Sequence, residues 1–250
     1  MNRLPFLFAG MFAMLVIVTA CSDDDPAQPA QPVTHDGQSA ALGEGQVTSY
    51  ERVAPDGSLL AVGVRFNETV LSTLPVDMKM LMLNLPKKSG TSPFDHVGFD
   101  WNPQGHEPMP LYGKPHFDVH FYVVDHNALT AVQPGPDMIM PEPQFMPPHY
   151  ISGVEAVPNM GTHYVDTTSA EFTGTPFTKT FIYGFYRGEL FFFEPMITKE
   201  YLETRPNVTA DIRQPAAFKK TGKQYPRKYT VSYDAARKEY SVELTDMKLH

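Results

Sequence analysis

Cysteine is rare in this 250-residue chain, and acidic residues outnumber basic ones. It contains one cysteine, and its 20 Lys and Arg face 28 Asp and Glu, for a net charge of −8. A single cysteine excludes intrachain disulfides and zinc sites built from several thiolates. Phosphate binding requires a clustered positive surface, so the acidic balance argues against a nucleic-acid-binding protein.

Common catalytic motifs are also missing. The sequence has no G-x-x-x-x-G-K-[ST] phosphate loop, no G-x-G-x-x-G after a strand, no G-x-S-x-G elbow and no H-E-x-x-H helix. Signals for long helices are weak, because 24 prolines are spread among 17 phenylalanines and 12 tyrosines. Aromatic residues favour strands and proline favours turns, so the composition predicts strands joined by proline-rich loops.

The N-terminus has the composition of an export signal. Arg3 precedes an apolar run over residues 4–18, and two small residues precede Cys21. Residues 18–21 (VTAC) resemble the bacterial lipobox, whose cysteine becomes the lipid-modified first residue of the mature chain. We therefore expect a lipoprotein signal peptide over residues 1–20 and a membrane anchor on Cys21; an ordinary signal peptide with an incidental cysteine is the alternative. The expected location is the bacterial cell envelope, at the outer membrane on its periplasmic side or on the cell surface.

Residues 21–45 are predicted to be a disordered tether. They repeat Pro, Ala, Gln and Gly and have almost no bulky apolar side chain, so they bury too little surface to offset the entropy of ordering. Residues 46–250 suit a single domain with a substantial core. Its predicted class is mainly β (α+β): one barrel- or sandwich-like antiparallel domain with a few short peripheral helices.

Turn residues and alternation locate most of the predicted elements. A hairpin is expected over residues 47–53 and 59–66, around Pro55-Asp56-Gly57, and another over residues 228–233 and 239–244. Further strands are expected at residues 76–83, 96–101, 116–124, 163–166, 178–186 and 189–193. Short helices are expected at residues 67–74, 125–132 and 197–204.

The clearest chemical pattern lies in residues 115–122 (PHFDVHFY). Alternate side chains of a strand share one face, so His116, Asp118 and His120 lie together, with Phe117 on the opposite face. Imidazoles suit transition metals, and a carboxylate can complete the coordination shell or orient an imidazole. The pattern predicts a metal site. A metal-free His-Asp-His hydrogen-bond network, structural or binding a small ligand, is the alternative.

Three residues elsewhere are candidate additional ligands. His106 lies in a loop suited to close over a barrel mouth, and His163 enters a strand after a glycine. Glu194 ends a phenylalanine-rich strand, where an unpaired carboxylate would be costly. The predicted metal ligands are therefore His116, His120, Asp118, His163, His106 and Glu194. This donor set suits Zn, Cu, Mn or Fe.

A different metal site is indicated by methionines. Met138, Met140 and Met146 precede His149, and thioethers with an imidazole favour Cu(I). Methionine is also a common flexible packing residue, and the chain has 13 of them. Packing is thus the competing explanation.

Several motifs resemble a family of uncharacterised exported bacterial proteins that includes a structurally known thermophile member under an extracytoplasmic sigma-factor regulon. The motifs are residues 101–108 (WNPQGHEP), 115–122 (PHFDVHFY), 160–166 (MGTHYVD), 182–184 (IYG) and 193–198 (FEPMIT). The resemblance covers about Phe94 to Tyr201. It implies a compact β-rich domain able to assemble into rings, so a homo-oligomer is expected, and it implies no activity.

Together these features predict an anchored extracytoplasmic domain that binds a divalent transition metal. Such a metal can serve an enzyme, by polarising a carbonyl or activating water, or a binding protein without turnover. A purely structural role for the His-Asp-His face is the third possibility. No substrate and no catalytic residue are assigned by the sequence.

The anchor prediction is testable by replacing Cys21 with serine. Without its thiol the chain cannot receive lipid, so Cys21→Ser should yield unprocessed or released protein instead of a lipidated one. Membrane partition and gel migration of the two proteins measure this. A variant that partitions with membranes and migrates like the wild type would show that the lipoprotein prediction is wrong.

Overall fold

The computed structural model describes Met1 and residues 30–250. The predicted signal peptide beyond Met1 and the predicted lipidation site Cys21 lie outside the described residues. Within the described part of the chain, no helix is long and apolar enough to cross a membrane.

Fourteen strands and four short α-helices make up the regular structure of residues 30–250. The strands are β1 (Val33–Leu42), β2 (Gly45–Val53), β3 (Leu59–Asn67), β4 (Lys79–Asn84), β5 (His96–Asn102), β6 (His116–Tyr122), β7 (Gly135–Pro136), β8 (Tyr150–Val157), β9 (Gly161–Asp166), β10 (Lys179–Tyr186), β11 (Glu189–Thr198), β12 (Asn207–Asp211), β13 (Gln224–Asp234) and β14 (Glu239–Leu249). The helices are α1 (Glu68–Ser72), α2 (Met109–Tyr112), α3 (His126–Thr130) and α4 (Lys199–Glu203), with 3₁₀ turns at Pro143–Phe145 and Ala170–Phe172.

The strands form two antiparallel sheets. The first has six strands in the order β1-β2-β3-β14-β13-β12, and the second has eight in the order β4-β5-β6-β11-β10-β9-β8-β7. Phe66 of the first sheet packs on Phe99 and Phe117 of the second, with ring centroids 5.3 and 5.9 Å apart. The sandwich-like form of the predicted fold is therefore confirmed.

The barrel form of the prediction is wrong. Strands β1 and β12 are the edges of the first sheet, and β4 and β7 are the edges of the second, so neither sheet closes. Each sheet instead buries its inner face against the other. Strand periodicity cannot distinguish these two solutions, because both bury alternate residues of each strand.

Most predicted elements are present. Strands β2 and β3 form the hairpin around the Pro55-Asp56-Gly57 turn, and β13 and β14 form the C-terminal hairpin. The predicted helix over residues 197–204 is shorter, because β11 continues through Thr198 before α4 begins. The Thr198 hydroxyl then caps the helix by accepting from the Tyr201 amide at 3.2 Å.

Strand β1 overturns the tether prediction for residues 33–42. It pairs with β2, and Asp36 accepts two 2.6 Å hydrogen bonds from Arg65. Leu42, at its end, is buried. An edge strand is held mainly by backbone hydrogen bonds and needs few apolar side chains, so a polar composition did not exclude it.

Strand β6 lies between two buried apolar layers. On the sandwich side, Phe117 packs against Phe99 and Trp101, with ring centroids 5.0 and 4.9 Å apart. On the other side, Tyr122 belongs to a second apolar cluster that also contains Tyr112, Phe177, Phe192 and Met196. Every residue of β6 is consequently buried. The polar face of the strand lies on the outer surface of the eight-stranded sheet, beneath covering loops.

Phe117 should be a major contributor to the sandwich core. We expect Phe117→Ala to reduce the free energy of unfolding by about 3–5 kcal/mol, as for a fully buried phenylalanine. Urea unfolding of the variant and the wild type measures the difference. Val76→Ala is the control, because Val76 is 85% exposed and should change stability little. A comparable effect of both substitutions would contradict this assignment of the core.

Candidate metal centre

The six predicted ligands form two clusters of three. We call His106, His116 and Asp118 the His106 triad, and His120, His163 and Glu194 the His163 triad. In each triad, one donor atom from every residue lies within 4.8 Å of the others. The structure thus brings the predicted residues together as two triads along β6, where the sequence had indicated one set.

Sheet register explains how distant residues reach β6. Strand β5 pairs with β6 so that Asp100 is opposite Asp118. Strand β11, on the other side of β6, contributes Glu194, which is opposite Ile182 of β10. His163 comes from β9, one strand further along, and His106 comes from the loop after β5.

Gly184 lies on β10, between β9 and β11, and allows His163 to join the His163 triad across that strand. His163 and Phe192 are the cross-strand neighbours of Gly184 on either side. The Phe192 ring occupies the space above the glycine, since an added Cβ there would lie 2.0 Å from Phe192 Cε1. That ring contacts both imidazoles of the His163 triad, with centroids 4.8 Å from His120 and 5.0 Å from His163.

In the His106 triad, one carboxylate lies between two imidazoles. Nε2 of His116 is 3.0 Å from Oδ1 of Asp118, and Nε2 of His106 is 3.3 Å from Oδ2. Asn102 also donates a 2.7 Å hydrogen bond to Oδ2. Asp118 is therefore held at a defined position between the two rings.

The other nitrogen of each ring faces a backbone carbonyl. Nδ1 of His116 lies 2.6 Å from the Lys114 oxygen, and Nδ1 of His106 lies 2.8 Å from the Glu107 oxygen. A carbonyl only accepts, so each Nδ1 carries a proton. In the neutral rings the Nε2 lone pairs then point toward the Asp118 carboxylate, an arrangement that requires a cation or a proton nearby.

The His163 triad has the same plan with wider spacing. Nε2 of His120 is 3.5 Å from Oε1 of Glu194, and Nε2 of His163 is 3.5 Å from Oε2. Nδ1 of His120 faces Oδ2 of Asp100 at 3.2 Å. Sequence reasoning missed Asp100, whose signal was its place on β5 opposite Asp118.

Aromatic side chains cover the His106 triad. Phe177 lies edge-on to His116, with ring centroids 5.4 Å apart, and Tyr112 packs on Phe177 at 5.2 Å. The side chains of His116 and Asp118 are 0% and 8% exposed, whereas His106 is 38% exposed. The triad is thus buried apart from one imidazole.

Several buried polar atoms of the centre make no hydrogen bond. They are Nε2 of His116, Oδ1 of Asp118, both ring nitrogens of His120, Oε2 of Glu194 and Oδ1 of Asp100. Buried polar atoms in folded proteins are nearly always hydrogen-bonded, so a group of unpaired ones marks a binding site or a strained network. Their concentration on three adjacent strands, β5, β6 and β11, singles out this region of the described chain.

Burial and charge together shift the pKa values of the His163 triad. Burial raises the pKa of Glu194 to about 8, despite the opposing charge of His120. For His120, burial favours the neutral ring, but the charges of Glu194 and Asp100 outweigh it and raise the pKa to about 9. Burial and the His120 charge lower the pKa of His163 to about 3. A proton is therefore strongly held on His120 and weakly held on His163.

Asp118 and His106 shift each other's pKa values. Burial disfavours its charge, but the two neighbouring histidines outweigh burial and hold the pKa of Asp118 well below its usual value. Burial of His106 is likewise outweighed by Asp118, which raises the pKa of His106 to about 9. Asp118 is consequently ionised and favours a positive partner.

The methionines of the alternative copper site do not share one environment. Met146 is partly buried against the sandwich core, whereas Met138 and Met140 are exposed. Met140 also accepts a hydrogen bond from the Tyr164 hydroxyl at 3.4 Å. This arrangement gives the copper prediction no support.

Comparison with known proteins matches part of the chain to a family model. A family model described as "TTHB210-like: Hypothetical protein TTHB210" matches residues 55–101. That segment runs from the β2–β3 turn to β5 and overlaps the motifs noted in the sequence only at its end. The description names no activity. No curated protein and no solved structure matches the chain.

Gly184 should be intolerant of any side chain. Gly184→Ala would force the Phe192 ring from its position, so we expect a loss of about 1–3 kcal/mol in the free energy of unfolding. Urea unfolding of the Gly184→Ala variant and of the wild type measures this loss. Gly90→Ala is the matched control, because nothing lies within 4 Å of the Cβ that would be added there. Equal effects at the two glycines would contradict the close approach of Phe192.

Proposed function

We propose that this protein is a membrane-anchored extracytoplasmic domain that binds a divalent transition metal at the two triads. One observation carries the proposal: two clusters, each of two histidines and one carboxylate, hold buried donor atoms that make no hydrogen bond. Anchoring through Cys21 remains part of the proposal on the strength of the sequence.

Donor spacing supports a metal. An ion with bonds of about 2.1 Å to nitrogen and oxygen holds tetrahedrally arranged donors about 3.4 Å apart. The nitrogen–oxygen spacings are 3.3 Å at His106 and 3.5 Å at both His120 and His163. Charge-assisted hydrogen bonds between such groups are shorter, about 2.7–2.9 Å. Three of the four spacings therefore suit shared coordination better than direct hydrogen bonds.

The groups around the proposed ligands also fit a metal site. His120 faces Asp100 through its second nitrogen, and His116 faces the Lys114 carbonyl in the same way. Such contacts fix the tautomer and orientation of metal-binding histidines. The donors suit Zn, Cu, Mn or Fe, and three protein ligands leave a coordination position for water or a small ligand. A metal bound there would supply Lewis acidity or an activated water.

A metal-free network is the second candidate. The 3.0 Å spacing between His116 and Asp118 is short enough for a protonated imidazole to pair directly with the carboxylate. The raised pKa of His120 would similarly allow a charged ring beside Glu194 and Asp100. In this case the centre would stabilise the outer face of the sheet or bind a small ligand without metal.

Metal content and melting distinguish the two functions. We expect the full chain, produced without a histidine tag, to contain stoichiometric metal, and its thermal midpoint to fall with chelator, because metal binding free energy stabilises the folded state. His116→Ala and His120→Ala should each bind less metal than the wild type and melt at a lower temperature. Elemental analysis and melting with and without chelator measure these effects.

Phe117→Ala is the control on the opposite face of β6. It should melt at a lower temperature but keep its metal. The metal proposal would be contradicted by a wild-type protein that stays metal-free after reconstitution with Zn, Cu, Mn and Fe. The thermal midpoint of such a protein would not change with chelator. In that case each histidine variant should have a free energy of unfolding lower by about 1–3 kcal/mol, because the hydrogen-bond partners of the lost imidazole would be left unsatisfied.

A further inference from the structure

We propose that the centre holds two metal ions at once, one in the His106 triad and one in the His163 triad. This inference rests on the proposed function and adds the number of ions and their separate ligand sets. The two sites would share the β6 scaffold but no ligand.

The carboxylates divide the histidines cleanly into two pairs. The two oxygens of Asp118 face His116 and His106, at 3.0 and 3.3 Å. The two oxygens of Glu194 face His120 and His163, both at 3.5 Å. Each carboxylate thus serves one pair of imidazoles, which is the ligand set of a complete two-histidine, one-carboxylate site.

One ion cannot be shared easily by the two triads. His116 and His120 are four residues apart on one strand, so their Cα atoms are separated by about 13 Å. Donors of one ion with bonds of about 2.1 Å lie within about 4.2 Å of each other. The ring contacts that fix His116 near Phe177 and His120 near Phe192 keep the imidazoles in their own triads.

Charge is also compatible with a second ion. Asp100, Asp118 and Glu194 are all buried within the same face of the sheet. When ionised, they carry three negative charges, and one divalent ion with neutral histidines leaves one of these uncompensated. Two divalent ions reverse the excess to a single positive charge, which a bound hydroxide or other small anion neutralises. Buried charge without compensation is strongly unfavourable.

Each triad also reaches the protein surface through one of its histidines. Each combines two buried side chains with one partly exposed histidine, His106 at 38% and His163 at 25%. An ion can therefore reach either triad without the other being emptied. This predicts that the two sites load and empty independently.

The test is the number of zinc ions bound to the full chain, produced without a tag and reconstituted with Zn²⁺. We expect two ions per wild-type chain by elemental analysis. His116→Ala and His163→Ala should each retain one, and the double variant none. His126→Ala is the matched control, since His126 is an exposed histidine outside both triads and should leave two ions.

The outcomes separate this inference from the proposed function. One ion per wild-type chain, or loss of all zinc in both single variants, would overturn the two-ion assignment while leaving metal binding intact. No zinc, with none of the other metals retained, would overturn both. If the variants do not fold, anomalous diffraction from wild-type crystals at the zinc edge decides: two peaks support the inference and one refutes it.

Discussion

The burial of both faces of β6 is the constraint on which the rest of this structure depends. The apolar face, centred on Phe117, joins the sandwich core, and the opposite face carries His116, Asp118 and His120 with almost no exposure. Polar groups in that position need partners, because burying charge without compensation costs several kcal/mol. The loop bearing His106 and the neighbouring strands place groups of opposite charge beside them.

The covering of the polar face is built from packing as well as charge. Phe177 and Tyr112 close over His116, and Phe192 lies across Gly184 between His120 and His163. These contacts hold the imidazoles in place without using their Nε2 atoms. The arrangement is suited to a preformed site, in which ligands are oriented before an ion arrives.

The candidate site was accessible from sequence to the extent that it lies on one strand. The alternation in residues 115–122 identified the face directly, and His106, His163 and Glu194 were recognised by residue type and local setting. Asp100 was missed because its importance comes from lying opposite Asp118 in the neighbouring strand. Gly184 was missed for a similar reason, since only packing shows that Phe192 occupies the space above it.

Local sequence determined the hairpins, the face of β6 and the mainly β character, because alternation and turn residues act over a few positions. The sequence by itself also showed that the chain has a single cysteine and none of the familiar catalytic motifs. Tertiary structure alone decided that the sheets pack as a sandwich, that β1 pairs where a tether was expected, and that the ligands divide into two triads. Each of these depends on which strands become neighbours and in what register, and residues far apart in the chain settle that together.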